Sequence, residues 1–108
     1  MAAWKEKYGR EPTENEGQAY NGAQAILAGV KLAGSVKPVD VAKALSGATI
    51  ETIFGPAVMR AEDHQLLLPN YIGQVKKVDG NYKVVVEESF NASTIPPASG
   101  ECKMGEIK

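Results

Sequence analysis

The chain has 108 residues, with 12 Lys or Arg against 13 Asp or Glu, one His and one Cys, for a net charge of −1. That length suits one modest hydrophobic core and excludes two. The basic residues are scattered, with only Lys76-Lys77 adjacent, which argues against a nucleic-acid partner and gives that pair a strand-edge solubility role.

Apolar runs such as Leu66–Leu68 and Val84–Val86 fall far short of the roughly 20 residues that span a bilayer. The opening MAAWKEKYGR contains no apolar run of the kind a secretory signal needs. Residues 2–9 form a short helical pattern with Trp4 and Tyr8 on one face. Gly9 and Pro12 stop it, and Thr13 with Glu16 fits a capping box, so a longer helix begins at Glu14. Its expected apolar stripe is Ala19, Ala23, Ile26, Val30 and Ala33, widened by Tyr20, Leu27 and Ala28. Gly34 ends this helix in a left-handed cap.

Pro38 opens a third helix, VDVAKALSG, closed by Gly47. From Ala48 the periodicity turns to extended chain, with a turn expected at Gly55-Pro56 and short strands on either side. A strand follows over Leu66–Val78, and Asp79-Gly80 marks a type I′ hairpin because both central residues there need positive φ. Tyr82 to Glu87 returns antiparallel. Such a hairpin requires a third strand, a helix or a second chain to complete it. Residues 91–108 are a Pro/Gly-rich tail whose Pro96-Pro97 excludes helix interior and central strand. Within it Asn91-Ala92-Ser93 matches a glycosylation acceptor formally, a chance occurrence as the residues read.

His64 has no companions for a metal site and no nucleophile motif to serve. It reads as a structural hydrogen-bonding residue at a strand start, with membership of a binding surface as the alternative. The pairs Glu62-Asp63 and Glu87-Glu88 place neighbours on opposite faces of extended chain, so they read as solvated charge and not as dyads. The glycines form neither a dinucleotide-binding nor a phosphate-binding loop; Gly55 and Gly80 serve turns. Tyr8, Tyr20, Tyr71 and Tyr82 suit packing or ligand contact, and Tyr20 is the strongest ligand candidate because it lies in the first half of the long helix. The lone Cys102 cannot form an internal disulfide; it is a spare thiol, or the half of a bond to another chain or an absent segment.

In this order, WKEKYGREPTENEGQAYNGAQAILAGVKLAG, VDVAKALSG, FGPAVMRAEDHQLLLPNYIGQVKK closed by DG, and the terminal IPP and GECKM carry a resemblance. The chain resembles the carboxy-terminal part of the type I periplasmic binding proteins of the Leu/Ile/Val-binding family, the extracytoplasmic substrate receptors of ABC importers. The resemblance implies a partial periplasmic-binding-protein-like α/β fold, or α+β as an isolated piece, in which helices precede a hairpin-containing sheet. Residues 1–108 would be one incomplete domain of a two-lobed protein, with the helices before Gly47 in the first lobe and Phe54-Gly55 near the final crossing.

It further implies a periplasmic parent that binds a branched-chain amino acid, amide, urea or aromatic acid and delivers it to a membrane permease, with no catalysis and no cofactor. Tyr20 would border the cleft, and Cys102 would pair with an upstream Cys. An excised piece of this kind should self-associate through strand edges or the tail. The competing expectation is a small stand-alone α/β module that recognises another protein through Leu66–Tyr71. A small enzyme is disfavoured by the single His.

Overall fold

The computed structural model of the chain describes residues 2–102. Three helices come first: α1 (Ala2–Tyr8), α2 (Glu14–Ala33) and α3 (Pro38–Leu45). The strands are β1 (Thr49–Thr52), β2 (Gly55–Met59), β3 (Leu66–Leu67), β4 (Asn70–Val78) and β5 (Asn81–Phe90), followed by a short 3-10 turn at Ala92–Thr94. They make an antiparallel β1-β2-β3 sheet and a separate β4-β5 ribbon. Helices followed by hairpin-built sheets is the fold class implied by the sequence.

Local chemistry sets the helix ends. Gly9, at φ 69°, stops α1. At the start of α2 the Glu16 carboxylate accepts the Thr13 backbone N–H at 2.7 Å and its hydroxyl at 3.0 Å. Arg10 grips the same carboxylate through both terminal nitrogens, at 2.9 and 2.6 Å. Those hydrogen bonds, Arg10 first, hold the Glu16 carboxyl at about 2. Gly34 caps the other end at φ 59°. Pro38 lies in the first turn of α3, and Asp40 there accepts the Ser35 hydroxyl at 2.6 Å.

The buried face of α2 is not the apolar stripe that the sequence suggests. Asn21, Ala25 and Gly29 are buried, four residues apart on one line, whereas Ile26 and Leu27 are about two-thirds exposed. The reason is distance of approach. A Cβ added to Gly29 would lie 2.8 Å from Val41 and 2.9 Å from Leu45, so α3 rests directly on the helix backbone. The small residues permit this contact, and the bulky ones turn away.

The turn between β1 and β2 also departs from expectation. It consists of Ile53-Phe54, while Gly55 and Pro56 are the first residues of β2, paired with Thr52 and Glu51. Gly55 is still required, because its φ of 92° lets the strand start where a side chain would strain it. The expected Leu66–Val78 strand is divided at Leu68-Pro69 into β3 and β4. Pro69 has no N–H for a continued ladder. Asp79 and Gly80 have φ 51° and 82°, the geometry of a type I′ turn.

The core is small. Ala25, Ile50 and Met59 form it, with Ala28, Leu45 and Leu66 packed around them. Helices α2 and α3 and strands β1–β3 share this core, and the chain leaves it at Pro69. Beyond that point, the ribbon rests on little: Val75, Tyr82 and Val84 are 64, 76 and 69% exposed. The accessible surface of 8008 Å² exceeds the roughly 5,800 Å² of a compact protein of this mass. Likewise, the radius of gyration of 16.8 Å exceeds the ~13 Å expected.

Candidate functional site

The Ile53-Phe54 turn contributes a residue to each of two hollows in the surface. Asn21, only 2% exposed, accepts the Ile53 N–H on its Oδ1 at 3.0 Å and so ties α2 to the turn. Thr52 braces the turn from within: its hydroxyl donates to the Gly55 carbonyl at 2.7 Å and accepts the Phe54 N–H at 3.1 Å. A Cβ on Gly17 would meet the Ile53 side chain at 3.1 Å, so the helix and the turn are in close contact here too.

Two hollows flank this turn. One, of about 570 Å³, lies on the Ile53 side and is walled by Trp4, Tyr8, Pro12, Glu16 and Tyr20. Trp4 and Tyr8 stack with centroids 4.3 Å apart, and the Arg10 guanidinium sits 5.6 Å from the Trp4 ring. Tyr20 is half exposed, with its hydroxyl accepting from Gln24 Nε2 at 2.7 Å. The structure therefore brings Trp4 and Tyr8 to the same hollow as Tyr20, the strongest of the tyrosine candidates read from the sequence. The other hollow, of about 520 Å³, lies on the Phe54 side between Gln18, Leu66, Leu68, Tyr71 and Ile95. Phe54 and Tyr71 form its aromatic edge at 5.7 Å.

The polar segment Arg60–Gln65 reaches the second hollow through Gln65. Arg60 binds the Asp63 carboxylate twice, at 2.8 and 2.6 Å, and donates to the Pro96 carbonyl at 2.7 Å. This bond folds the tail back over the body, which places Ile95 in the hollow. The Arg60 hydrogen bonds hold Asp63 at about 2, with the Gln65 N–H contributing. His64 has a φ of 54°, and its backbone N–H donates to the Arg60 carbonyl at 2.9 Å. Its Nε2 is enclosed with no hydrogen-bond partner among the described residues. Cys102 is a free, half-buried thiol. Among the described residues no three His, Cys, Asp or Glu side chains gather as a metal site, and no helix is long and apolar enough to cross a membrane.

The arrangement of helices, short sheet and ribbon recurs in known proteins. A leucine-, isoleucine-, valine-, threonine- and alanine-binding protein from Brucella ovis, in its closed conformation, matches 94% of this chain at 26% identity with a TM-score of 0.76. A solute-binding protein of an ABC transporter from Rhodopseudomonas palustris, in complex with 3,4-dihydroxybenzoic acid, matches 84% at 26% identity and 0.75. An ABC-type branched-chain amino acid transporter protein from the same species matches 85% at 21% identity and 0.75. The chain spans only 25 to 29% of these proteins. Among curated proteins no sequence matches. These neighbours define the class, a piece of the periplasmic-binding-protein-like fold. A sequence profile of the periplasmic binding protein family matches residues 1–81, and the chain belongs to that family.

Proposed function

We propose that this chain is the carboxy-terminal part of the solute-binding component of an ABC importer. The parent holds a branched-chain amino acid or a related amide, urea or aromatic acid between two lobes in the periplasm. It passes the solute to a membrane permease by lobe opening, and does no chemistry on it. The single observation that supports this reading most is the family match over residues 1–81, set in a chain that corresponds to about a quarter of each structural neighbour.

Within that reading, Tyr20 contacts the solute. It lines, with Trp4 and Tyr8, a hollow large enough for a small acid, and a phenol offers both a stacking face and a directional hydroxyl. The Asn21 link to the turn would keep that wall rigid, which lowers the cost of ordering it on binding.

A thermal-shift titration of a full-length parent that contains this chain tests the proposal. Leucine, valine, urea, a short amide and 3,4-dihydroxybenzoate serve as probes. One of them should raise Tm, and Tyr20→Ala should weaken that ligand about tenfold, equivalent to ~1.4 kcal/mol. If no probe raises Tm, the proposed solute classes are wrong; an unchanged affinity in Tyr20→Ala removes Tyr20 from the site.

A further inference from the structure

Among the described residues the outer edge of β5 in the β4-β5 ribbon is unpaired, and we propose that this edge is a self-recognition surface. It pairs antiparallel with the same edge of a second copy of the chain, about a two-fold axis at Val85, to give a four-stranded sheet.

The need for a partner follows from the ribbon's construction. Two strands alone are marginal in water, and here Val75, Val84 and Val86 are exposed by 64, 69 and 56%. The available groups follow from the register. Val78 pairs with Asn81 across the two-residue turn, so this pair is hydrogen-bonded and the pattern alternates from there. Asn81, Lys83 and Val85 spend their backbone groups on β4. Tyr82, Val84 and Val86 point theirs outward, where an antiparallel copy can meet them.

Charge selects the register. Lys83 faces Lys76 across the ribbon, a like-charge pair that is unfavourable by itself. Lys76 is neutralised by Glu87 at 2.7 Å, which leaves Lys83 without an ion-pair partner among the described residues. A two-fold at Val85 places Lys83 opposite Glu87 of the second copy, and Glu87 opposite its Lys83, so that each half-exposed Glu87 carboxylate bridges its own Lys76 and the incoming Lys83. It also sets Val84 against Val86 twice. Moving the axis by one residue either way puts Lys83 opposite Val85 or Ser89 and loses both charge contacts. The register steps from Gly73↔Val86 to Ile72↔Glu88, so the bulge at Glu87 ends the regular edge and limits the seam to about five residues a side.

That seam is far smaller than the roughly 1,600 Å² of a standard interface, which places dissociation in the micromolar range or weaker. The outer edge of β4 is a rival, but β4 carries Lys76 and Lys77 and no acidic residue, so two copies of it would bring only like charge together; the exposed Ile26-Leu27 face of α2 is the other rival, and it offers no charge pattern to set an orientation.

Sedimentation equilibrium of the 108-residue chain, from about 1 to 500 µM, reads the outcome. The apparent mass should rise with concentration from 11.5 kDa toward twice that value. Lys83→Glu and Glu87→Lys should each weaken association about tenfold or more, and the double swap should restore it. The swapped carboxylate at position 83 faces Lys76, so the ribbon keeps an internal ion pair. Val84→Pro removes an outward N–H without taking a hydrogen bond from the ribbon, and should abolish dimers while circular dichroism stays unchanged. A chain that stays monomeric throughout, a swap that fails to restore pairing, or a dimer dissolved by Ile26→Glu and left intact by Lys83→Glu would each overturn the proposal.

Discussion

Ile50 in β1 and Val84 in β5 are both branched aliphatic residues in antiparallel strands, yet one is 1% and the other 69% exposed. The difference lies in cover. β1 lies under α2, which brings Ala25 and the Asn21 hydrogen bond onto the sheet, while the ribbon has only its own ladder and its Asp79-Gly80 turn. Strand-forming sequence produces both elements, but only the first contributes a core. Stability should therefore be concentrated in the helix-covered half.

Substitutions can sharpen or break that contrast. Ile50→Ala removes the most completely buried aliphatic side chain and should cost about 2–5 kcal/mol in urea denaturation, enough to unfold much of the population. Asn21→Ala leaves the Ile53 N–H without its acceptor, and should cost about 1–3 kcal/mol by the same measurement. The glycines of α2 divide by face. Gly29→Ala should destabilise by about 1–2 kcal/mol, because overpacking against Val41 and Leu45 outweighs the gain in helix propensity. Gly22→Ala has open space around it and should stabilise by about 0.5–1 kcal/mol.

Acid should reach the molecule through its two clamps. Glu16 and Asp63 both lie at about 2, below their ordinary 4.5 and 3.8. A depressed carboxylate adds stability above its unfolded pKa and loses it as pH falls through the folded one. Tm should therefore hold down to about pH 5 and fall between about pH 4.5 and 2, with a smaller fall in Arg10→Gln, which removes the main hydrogen-bond partner of Glu16. The smallest effect belongs to the ribbon: Val75→Ala should change stability by less than about 0.5 kcal/mol in the monomer.

Much of this arrangement was legible in the residues. Thr13 with Glu16, Gly34, Pro38 and Asp79-Gly80 act through local chemistry, and each falls where its pattern places it. The buried face of α2 was not legible, because hydrophobic periodicity selects Ile26 and Val30, while the packing selects small residues and Asn21 for close approach. The turn at Ile53-Phe54 was displaced for a related reason: Gly55 supplies the positive φ from inside β2, so the glycine marks the turn's edge and not its centre. At the candidate site, Tyr20 could be chosen from its place in α2. Its neighbours Trp4 and Tyr8 come from another helix, and the Arg10–Glu16 clamp that draws the helices together looks in sequence like ordinary surface charge.

Residue-resolved hydrogen exchange at low micromolar concentration tests the central contrast most directly. The ladder amides of Ile50, Ala57 and Met59 should exchange only with global unfolding, and those of Lys83 and Val85 should exchange through local opening at much lower free energy. Equal protection of the two sets would contradict the account, since it would mean that the ribbon folds and unfolds as one unit with the helix-covered body.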